Sequence, residues 1–476
     1  MADQQKVQPE FKTVTIKNEG KQIILPEKMN YVTALTWIKR RMDEDEREIN
    51  IHEAIDCLPL EGAFYAGRAL VNLFGFFDAS KYSDPTWVAL EVGVGQTEQV
   101  LWGRLQVPGL EGYVETGYEV ANDQVQFCLE GTVKKKNQGL IQELVAEIKR
   151  LAAEESIYKG KAIQLTFPNL SNRSFNPILF QHRFIDTSKI RPEELIFPTM
   201  TQRLIEDTLF APILYTKAVR AAKIPLKRGI LLEGPYGCGK TQTQAVTAKY
   251  ASEQGWTYIA LENTDDLAKA MHFARKYQPA VVAAEDIDRA DKNGGRSDAM
   301  NVILNTIDGA SFKGTEIIVL LTTNHVENIT PAMMRPGRLD AVIPVRPPDA
   351  KAVERLIKLY ARDLLDPFET FVQVGAVLDG QIPAVIREVV ERSKLSAISR
   401  QKGVGPLTLT ESDLLIAAHG MMEHLTLMKE KVRDERSNEE KAADILGGHI
   451  FKAATLPIPG TTPVEDDITL MDYISE

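Results

Sequence analysis

The sequence predicts an α/β protein in which a parallel sheet, covered by helices on both faces, follows an α+β region. From Phe184 onward, apolar segments of strand length alternate with helical segments, which is typical of a parallel sheet buried on both faces. A glycine-rich loop, residues 234–241, lies between the first of these strands and a helix. The predicted strands are 229–233, 257–261, 280–284, 317–321 and 341–345.

The first part of the chain, about residues 1–85, predicts a hairpin followed by helices. Apolar residues alternate over residues 11–25 around Asn18-Glu-Gly20, which is a hairpin signal. Residues 29–56 and 59–76 have helical spacing of apolar residues. His52 falls in the first of these segments beside acidic neighbours, and we interpret it as a surface histidine.

Residues 86–180 predict a strand-rich unit that completes an N-terminal α+β region, residues 1–180. Residues 139–153 predict an amphipathic helix and residues 161–167 a further strand. Residues 168–183 are rich in Asn, Ser and Pro and read as a linker. The strands before the helix are predicted at 87–92, 99–107, 112–115 and 124–129.

The glycine-rich loop has the sequence expected of a phosphate-binding loop. Glycines let the backbone turn so that several N–H groups point at one anion, and the following helix adds its N-terminal partial charge. Lys240 can reach the β- and γ-phosphates of a nucleotide, and the Thr241 hydroxyl can hold Mg²⁺. The predicted nucleotide-binding residues are Gly234, Pro235, Tyr236, Gly237, Cys238, Gly239, Lys240 and Thr241.

Polar residues follow the strands at 280–284 and 317–321. Glu285 and Asp286 come directly after the first strand, where one carboxylate would act on the metal shell and the other would polarise water. Asn324 follows the second strand and could orient the attacking water. These residues predict a site for ATP hydrolysis.

Two arginines three residues apart, Arg335 and Arg338, flank a Pro-Gly turn. They are poorly placed to stabilise anything local, and we interpret them as arginine fingers for the ATP of a neighbouring subunit. Such fingers contribute roughly 10³–10⁵ in rate.

The chain after the predicted sheet, residues 184–346, continues as a helical lid, residues 347–433, and a C-terminal tail, residues 434–476. Arg387 in the lid could contact phosphate, although an ordinary surface arginine is the stronger interpretation. His419 and His424 lack the context of a metal site.

Composition restricts the compartment and the partners. The chain has 476 residues, a formal net charge of −10 and no long basic stripe, so we do not expect nucleic acid as a partner. Its three widely separated cysteines suggest neither a disulfide framework nor a zinc module, which fits a reducing compartment. With no apolar signal core at the start and no membrane-length apolar run, we expect a cytoplasmic protein without a membrane role.

The order of these motifs resembles the AAA family of ATPases over about residues 184–430. The resemblance implies ATP and Mg²⁺ as cofactors and a homo-oligomeric ring, a hexamer or alternatively a heptamer, with ATP at subunit interfaces. By motif match, Asn324 is the first sensor, and Arg335 and Arg338 are fingers acting in trans. Asp308 lies in the family's Asp-Gly element, where a structural or intersubunit role is as plausible as a catalytic one.

Two departures from the family pattern stand out. In the family the usual order after the strand that corresponds to 280–284 is Asp-Glu, whereas this chain has Glu285 in the Mg²⁺ position and Asp286 in the catalytic position. The shorter side chain must then reach the water, or the two roles are exchanged. Residues 261–267 also lack the aromatic-aliphatic-Gly pore loop with which AAA unfoldases thread polypeptides.

In both departures the chain resembles one subfamily, the mitochondrial AAA translocase that moves the folded Rieske iron–sulfur protein. The membrane helix of that subfamily has no counterpart here, so the sequence predicts a soluble relative of the bacterial or phage kind.

Three functions remain open at this point. The first is an ATP-hydrolysing ring that remodels or translocates protein substrates selected by residues 1–180. The second is a DNA-linked ATPase, such as a loader or a replication or packaging accessory. The third is a nucleotide-switched structural ring with weak hydrolysis, which the inverted Glu285–Asp286 pair favours.

Overall fold

The computed structural model of the chain describes residues 13–18, 21–26, 30–79, 84, 86–121, 124–167, 176, 182–287, 314–325 and 339–434. The chain divides into two units at residue 352.

The strands form four sheets: the hairpin β1–β2, the hairpin β4–β5, a four-stranded sheet in the order β3-β8-β7-β6, and a seven-stranded sheet in the order β10-β9-β12-β13-β14-β11-β15. Their bounds are β1 Thr13–Asn18, β2 Lys21–Pro26, β3 Glu48–Ile55, β4 Thr86–Gly93, β5 Gln96–Trp102, β6 Arg104–Leu105, β7 Gly112–Ala121, β8 Gln124–Lys134, β9 Ala162–Leu165, β10 Arg183–Phe184, β11 Arg228–Glu233, β12 Thr257–Leu261, β13 Ala280–Ala284, β14 Ile317–Thr323 and β15 Ala341–Pro344.

The α-helices are α1 Tyr31–Asp45, α2 Pro59–Phe74, α3 Gln138–Glu154, α4 Thr199–Ile205, α5 Ala211–Leu214, α6 Thr216–Ala221, α7 Lys240–Glu253, α8 Leu267–Lys276, α9 Ala350–Ala361, α10 Val372–Val377, α11 Pro383–Arg400 and α12 Glu411–Asp434. A π-helical segment, Glu206–Phe210, joins α4 to α5. In the ranges given above, no helix has both the length and the apolar character needed to cross a bilayer.

The four-stranded antiparallel sheet carries α2 and α3 on one face. Phe127 and Leu129 of β8 are fully buried against these helices, together with Leu144 and Ile148 of α3. The fit between α2 and β8 depends on Gly62, because a Cβ at this position would lie 2.1 Å from Cγ of Phe127. Side chains alternate along β8, so its residues 126, 128 and 130 point to the opposite face.

The helix predicted over residues 29–56 is wrong in its second half. The helix α1 ends at Asp45, and Glu48–Ile55 form β3, which pairs antiparallel with β8. Within β3, half-buried Ile49 and Ile51 alternate with exposed Asn50 and His52. This two-residue period fits a strand, and hydrogen bonding to β8 stabilises it.

The predicted β1–β2 hairpin and the helices at 59–76 and 139–153 are confirmed.

The seven-stranded sheet is parallel except for the edge strand β10, which is antiparallel to β9. Every residue of β13 and β14 is buried. Consecutive residues of a strand point to opposite faces, so both faces of the sheet are covered. The predicted fold class, an α/β phosphate-loop module after an α+β region, is confirmed.

The sheet begins earlier in the chain than the sequence indicated. The predicted strand at residues 161–167 belongs to the N-terminal region in the sequence-based division, in which the α/β subdomain starts at residue 184. In the structure this strand is β9, which pairs parallel with β12 and buries Ile163 and Leu165 in the core of the large sheet. An isolated strand pattern does not specify its partner, so this pairing could not be predicted from residues 161–167 alone.

A buried carboxylate joins the N-terminal region to the end of α8. Glu61 is 1% exposed and accepts hydrogen bonds from the Tyr65 hydroxyl at 3.0 Å and the Ser156 hydroxyl at 3.2 Å. The Tyr277 hydroxyl also contacts it at 3.5 Å. Burial raises the pKa of Glu61. Because several donors converge on it, this carboxyl group ties elements from both parts of the unit together.

The second unit contains the predicted lid helices. Its main polar anchor is Asp413, which is 2% exposed and accepts hydrogen bonds from Arg400 at 2.8 Å and from the Thr410 amide at 3.1 Å. Arg387 lies over the ring of Tyr360, with 4.7 Å between the guanidinium carbon and the ring centre. This contact agrees with the interpretation of Arg387 as a surface arginine.

Candidate nucleotide site

The large sheet brings the predicted site residues to one edge. In the order β13-β14-β11 the three strands are adjacent and parallel, so their carboxyl ends meet there. Glu285 and Asp286 follow β13, Asn324 follows β14, and the glycine-rich loop follows β11. Ligands of open parallel sheets bind outside the carboxyl ends of the strands, so this edge is the candidate site.

The loop has a backbone that requires glycine. A Cβ on Gly234 would lie 2.2 Å from the carbonyl oxygen of Val345, so the backbone just after β15 leaves no room for any side chain. Gly239 has φ +102° and precedes α7, and a Cβ there would lie 3.1 Å from the Phe197 ring. The loop therefore turns tightly into α7, whose first amides and partial positive charge favour an anion.

Lys240, the first residue of α7, lies with its ammonium group inside the loop. The side chain is almost fully buried, and its Nζ donates to the carbonyl oxygens of Gly234 at 2.7 Å and Pro235 at 2.9 Å. A third hydrogen bond goes to Oδ1 of Asn324 at 2.7 Å. These contacts fix the cation at the point where the loop meets the end of β14.

Asn324 connects Lys240 to the carboxylate after β13. Its Nδ2 donates to Oδ1 of Asp286 at 2.7 Å, while its Oδ1 accepts from Lys240. The backbone of Asp286 has φ +47°, which is uncommon for a residue with a side chain, and its amide donates to Thr322 Oγ1 at 3.1 Å. Strained backbones of this kind cluster at functional sites.

The two adjacent carboxylates differ in their surroundings. The Glu285 side chain is exposed, whereas Asp286 is half-buried and contacts Asn324. Thr241, the second residue of α7, is exposed beside the loop.

Hydroxyl and carboxylate oxygens are hard ligands that suit Mg²⁺, and a glycine cradle with a buried lysine suits a nucleotide's phosphates. The residues present therefore fit Mg²⁺ and a nucleoside triphosphate.

Several residues that support the site were not predicted from the sequence. Gln244 of α7 is buried, and its amide approaches the carbonyl oxygen of Ala284 at 3.4 Å, where β13 ends. Phe197 packs behind Gly239. Tyr236 at the loop stacks edge-on against His325, with 6.3 Å between ring centres. A glutamine on a helix or a phenylalanine before one is too common a feature to single out by pattern.

Cys238 in the loop is buried, and burial raises the pKa of its thiol. It is therefore a poor nucleophile and fills space in the loop. The predicted fingers Arg335 and Arg338 lie outside the described residues, as does Asp308.

Comparison with known proteins agrees with this geometry. Residues 230–347 match the family described as "ATPase family associated with various cellular activities (AAA)". Among curated proteins, the chain is 30% identical over 180 residues to the 26S proteasome regulatory subunit 8 homolog of Schizosaccharomyces pombe, covering 34% of this chain and 44% of that protein.

Two further relatives come from a bacterium and an archaeon. The ATP-dependent zinc metalloprotease FtsH of Pirellula staleyi is 28% identical, over 55% of this chain and 38% of its own length. The cell division cycle protein 48 homolog of Archaeoglobus fulgidus is 25% identical, over 51% of this chain and 36% of its own length. The chain thus spans less than half the length of each of these three relatives. Residues 230–347, with the glycine cradle and the buried Lys240, are thus similar to the ATPase domain of the AAA family.

Proposed function

We propose that the chain hydrolyses ATP in an oligomeric ring and uses the energy to remodel or translocate protein substrates. The observation that supports hydrolysis best is the hydrogen-bonded series Lys240–Asn324–Asp286, which joins the phosphate loop to a carboxylate at the neighbouring strand end. Matches to AAA ATPases support the same reaction.

In this proposal, residues 234–241 bind the phosphates of ATP, and Thr241 and Glu285 hold Mg²⁺. When bound, Mg²⁺ neutralises charge on the phosphates. A phosphate in the loop would compete with the Gly234 and Pro235 carbonyl groups for the Lys240 ammonium, because that group already donates to both. Asn324 holds Lys240 on one side and so keeps it at the γ-phosphate end of the loop.

Asp286 is the residue that we assign to the attacking water. Its carboxylate lies in the site through its contact with Asn324, whereas the Glu285 side chain is exposed. Asp286 would accept a hydrogen bond from the water and orient it toward the γ-phosphate. This assignment keeps the roles that the family positions imply, with Glu285 in the Mg²⁺ position and Asp286 in the catalytic position.

Binding and turnover measurements on two variants test this assignment. Lys240→Ala should lose both ATP binding and turnover, because it removes the cation of the phosphate loop. Asp286→Asn should keep ATP binding while turnover falls by about 100-fold or more, as expected for removal of a general base. Asp265→Asn, an exposed aspartate near the end of β12, is the matched control and should leave both unchanged. Unchanged turnover in Lys240→Ala contradicts hydrolysis at this site.

The ring and the fingers form the second part of the proposal. Rings are typical of AAA proteins, and we propose a hexamer in which Arg335 and Arg338 reach the ATP of the neighbouring subunit. Arg338→Ala should then retain ATP binding and lose roughly 10³–10⁵ in turnover. Lys240→Ala subunits keep their own Arg338. In mixed rings they can supply this arginine to the ATP of a neighbouring Arg338→Ala subunit, so turnover should be partly restored. Native mass spectrometry of the same samples gives the number of subunits, and a monomer with full activity contradicts this part.

The substrate class rests on the relatives and on one feature of the sequence. The names of the relatives, a proteasome regulatory subunit and a metalloprotease, favour protein substrates over DNA. Residues 261–267 contain no aromatic-Gly pair, so we propose that a client is moved without threading, as the resemblance to the Rieske-protein translocase subfamily implies. The client would be identified among proteins that bind the Asp286→Asn variant in the presence of ATP and do not bind the Lys240→Ala variant. DNA-stimulated turnover at low salt would favour the DNA-linked alternative instead.

The nucleotide-switched structural ring is the second candidate, and the short carboxylate of Asp286 favours it. It differs from the main proposal in a single measurable property. Turnover near background in the unaltered chain, with ATP-dependent assembly retained, would support a switch. Turnover well above background that is lost in Arg338→Ala would exclude it.

A further inference from the structure

The open face of the four-stranded sheet carries a cluster of possible metal ligands far from the phosphate loop in sequence. His52 on β3 lies directly opposite Glu130 on β8 in the strand register. Cys128 is two residues before Glu130 on β8 and so projects from the same face. The sequence pattern does not indicate this cluster, because residues 48–55 have helical spacing and the pairing of His52 with β8 appears only in the folded sheet.

The three side chains converge closely. One donor atom from each of His52, Cys128 and Glu130 lies within 4.8 Å of the other two. His52 Nδ1 is 3.4 Å from Oε1 of Glu130, and the Cys128 Sγ is 3.1 Å from the same oxygen. In a tetrahedral site with metal–ligand bonds of about 2.0–2.3 Å, ligand atoms are about 3.3–3.8 Å apart. Shifts of about 1 Å or less would therefore bring all three atoms to one ion.

The histidine ring is oriented by a second carboxylate. His52 Nε2 lies 2.8 Å from Oε2 of Glu119 on β7, and the other oxygen of Glu119 accepts from the Gln126 amide. A proton on Nε2, held by Glu119, leaves the Nδ1 lone pair pointing toward Cys128 and Glu130. Metal-binding histidines in proteins almost always carry such a carboxylate on their other nitrogen.

Space beside the thiol is provided by a glycine. Gly117 lies opposite Cys128 in the pairing of β7 with β8, and a Cβ there would be 3.0 Å from Sγ and 3.2 Å from the Glu130 carboxyl carbon. The Cys128 side chain is buried beneath the exposed imidazole of His52. An ion would thus sit between a buried thiolate and an exposed ring, with one position open to solvent.

We propose that His52 Nδ1, Cys128 Sγ and a Glu130 carboxylate oxygen bind one divalent ion of the zinc class, with water as the fourth ligand. A thiolate combined with an imidazole selects zinc over magnesium or calcium, which prefer oxygen ligands only. Glu119 is a positioning residue that acts through His52. The site is independent of the ATPase reaction and rests on none of the residues assigned to it.

Metal binding at this site must release protons. The thiolate, not the thiol, is the form of cysteine that binds a metal, so the ion must replace the proton of the Cys128 thiol.

Titration of the full chain with Co²⁺, without nucleotide, tests the site. Co²⁺ substitutes for Zn²⁺ and gives a near-ultraviolet charge-transfer band only when a thiolate is bound. We expect this band to saturate at one ion per chain and to disappear when Zn²⁺ is added. Glu119→Gln should keep the band and weaken affinity by about 10–100-fold, as is typical for loss of a carboxylate behind a metal-bound histidine.

Matched variants identify the ligands. Cys128→Ala should abolish the band, whereas Cys57→Ala and Cys238→Ala, which alter the other buried cysteines, should keep it. His52→Gln should weaken binding, and His272→Gln, which alters an exposed histidine of α8, should not. Absence of a thiolate band in the unaltered chain, or a band that survives Cys128→Ala, overturns the proposal. Glu119→Gln keeps every proposed ligand, so an unchanged affinity in that variant overturns the positioning role.

Discussion

The two main sheets place their polar chemistry in different locations. In the seven-stranded sheet, β13 and β14 are buried along their whole length, so polar groups meet only where the strands end. In the four-stranded antiparallel sheet, helices cover one face, and polar side chains meet across the other. A parallel sheet therefore builds its site from loops at one edge, and an antiparallel sheet with an open face builds it from the strand register.

The strongest test of the edge site is Asn324→Ala. This change removes the hydrogen-bond partner that Lys240 and Asp286 share, and we expect turnover to fall about 100–1,000-fold, as for removal of one preorganised polar group. Asn263→Ala after β12 is the matched control, because Asn263 only caps a short 3-10 turn. Thermal unfolding of the N-terminal region should stay unchanged in both variants. Equal turnover losses in the two variants would contradict a special role for Asn324.

The corresponding test of the antiparallel sheet concerns its covered face. Gly62→Ala would place a methyl group against Phe127, and we expect stability to fall by about 1–3 kcal/mol, as for overpacking of a core. Three of the four tryptophans, Trp37, Trp87 and Trp102, belong to this part of the chain, so tryptophan fluorescence can follow its unfolding. Gly139→Ala at the start of α3, which meets no neighbour within 4 Å, should be neutral or slightly stabilising.

A buried histidine at the edge of the large sheet predicts acid sensitivity there. Burial lowers the pKa of His182 to about 3, and its ring centre lies 5.3 Å from that of Phe273. The unfolded chain binds this proton near pH 6.5, so stability falls as pH drops from about 6.5 toward 3. At pH 5 the loss is about 2 kcal/mol, and His182→Phe should remove it.

Denaturant unfolding at pH 7 and pH 5 measures this effect. His272→Gln, which alters an exposed histidine of α8, serves as the control and should retain the full loss of stability between the two pH values. If His182→Phe shows the same loss as the unaltered chain, the acid sensitivity has another origin.

The smallest effect is expected for an exposed ion pair between α6 and the residue before β14. Arg220 donates through Nε to Glu316 at 2.8 Å, and both side chains are partly exposed. Arg220→Gln should lower stability by less than about 1 kcal/mol, and less still at high salt. A loss comparable with that of Gly62→Ala would show that this pair is more desolvated than its exposure indicates.

The edge site could be predicted from the sequence because each part of it is local. The glycine cradle, Lys240, the Glu285–Asp286 pair and Asn324 each follow a recognisable apolar strand, and parallel strands bring their ends together. What the sequence did not reveal is which carboxylate contacts Asn324. The structure places Asp286 there, with a positive φ and a side-chain hydrogen bond from Asn324, and neither feature can be read from the sequence.

The open-face cluster could not be predicted because it depends on strand register. The alternation of Ile49 and Ile51 with polar residues was a signal for β3, but the preceding helical pattern obscured it. Even a correct strand assignment would not have placed His52 opposite Glu130, because register is fixed by pairing over the whole of β8.

The pairing of β9 with β12 determines how the chain can be cut for study. A fragment starting at residue 184 would remove β9 and leave β12 as an unprotected edge, with Ile259 and Leu261 stripped of their neighbours. Such a fragment should aggregate, and its failure would say nothing about whether the N-terminal region is needed for function. A fragment starting before Ala162 keeps β9 beside β12, but it still loses Glu61, the partner of the Tyr277 hydroxyl.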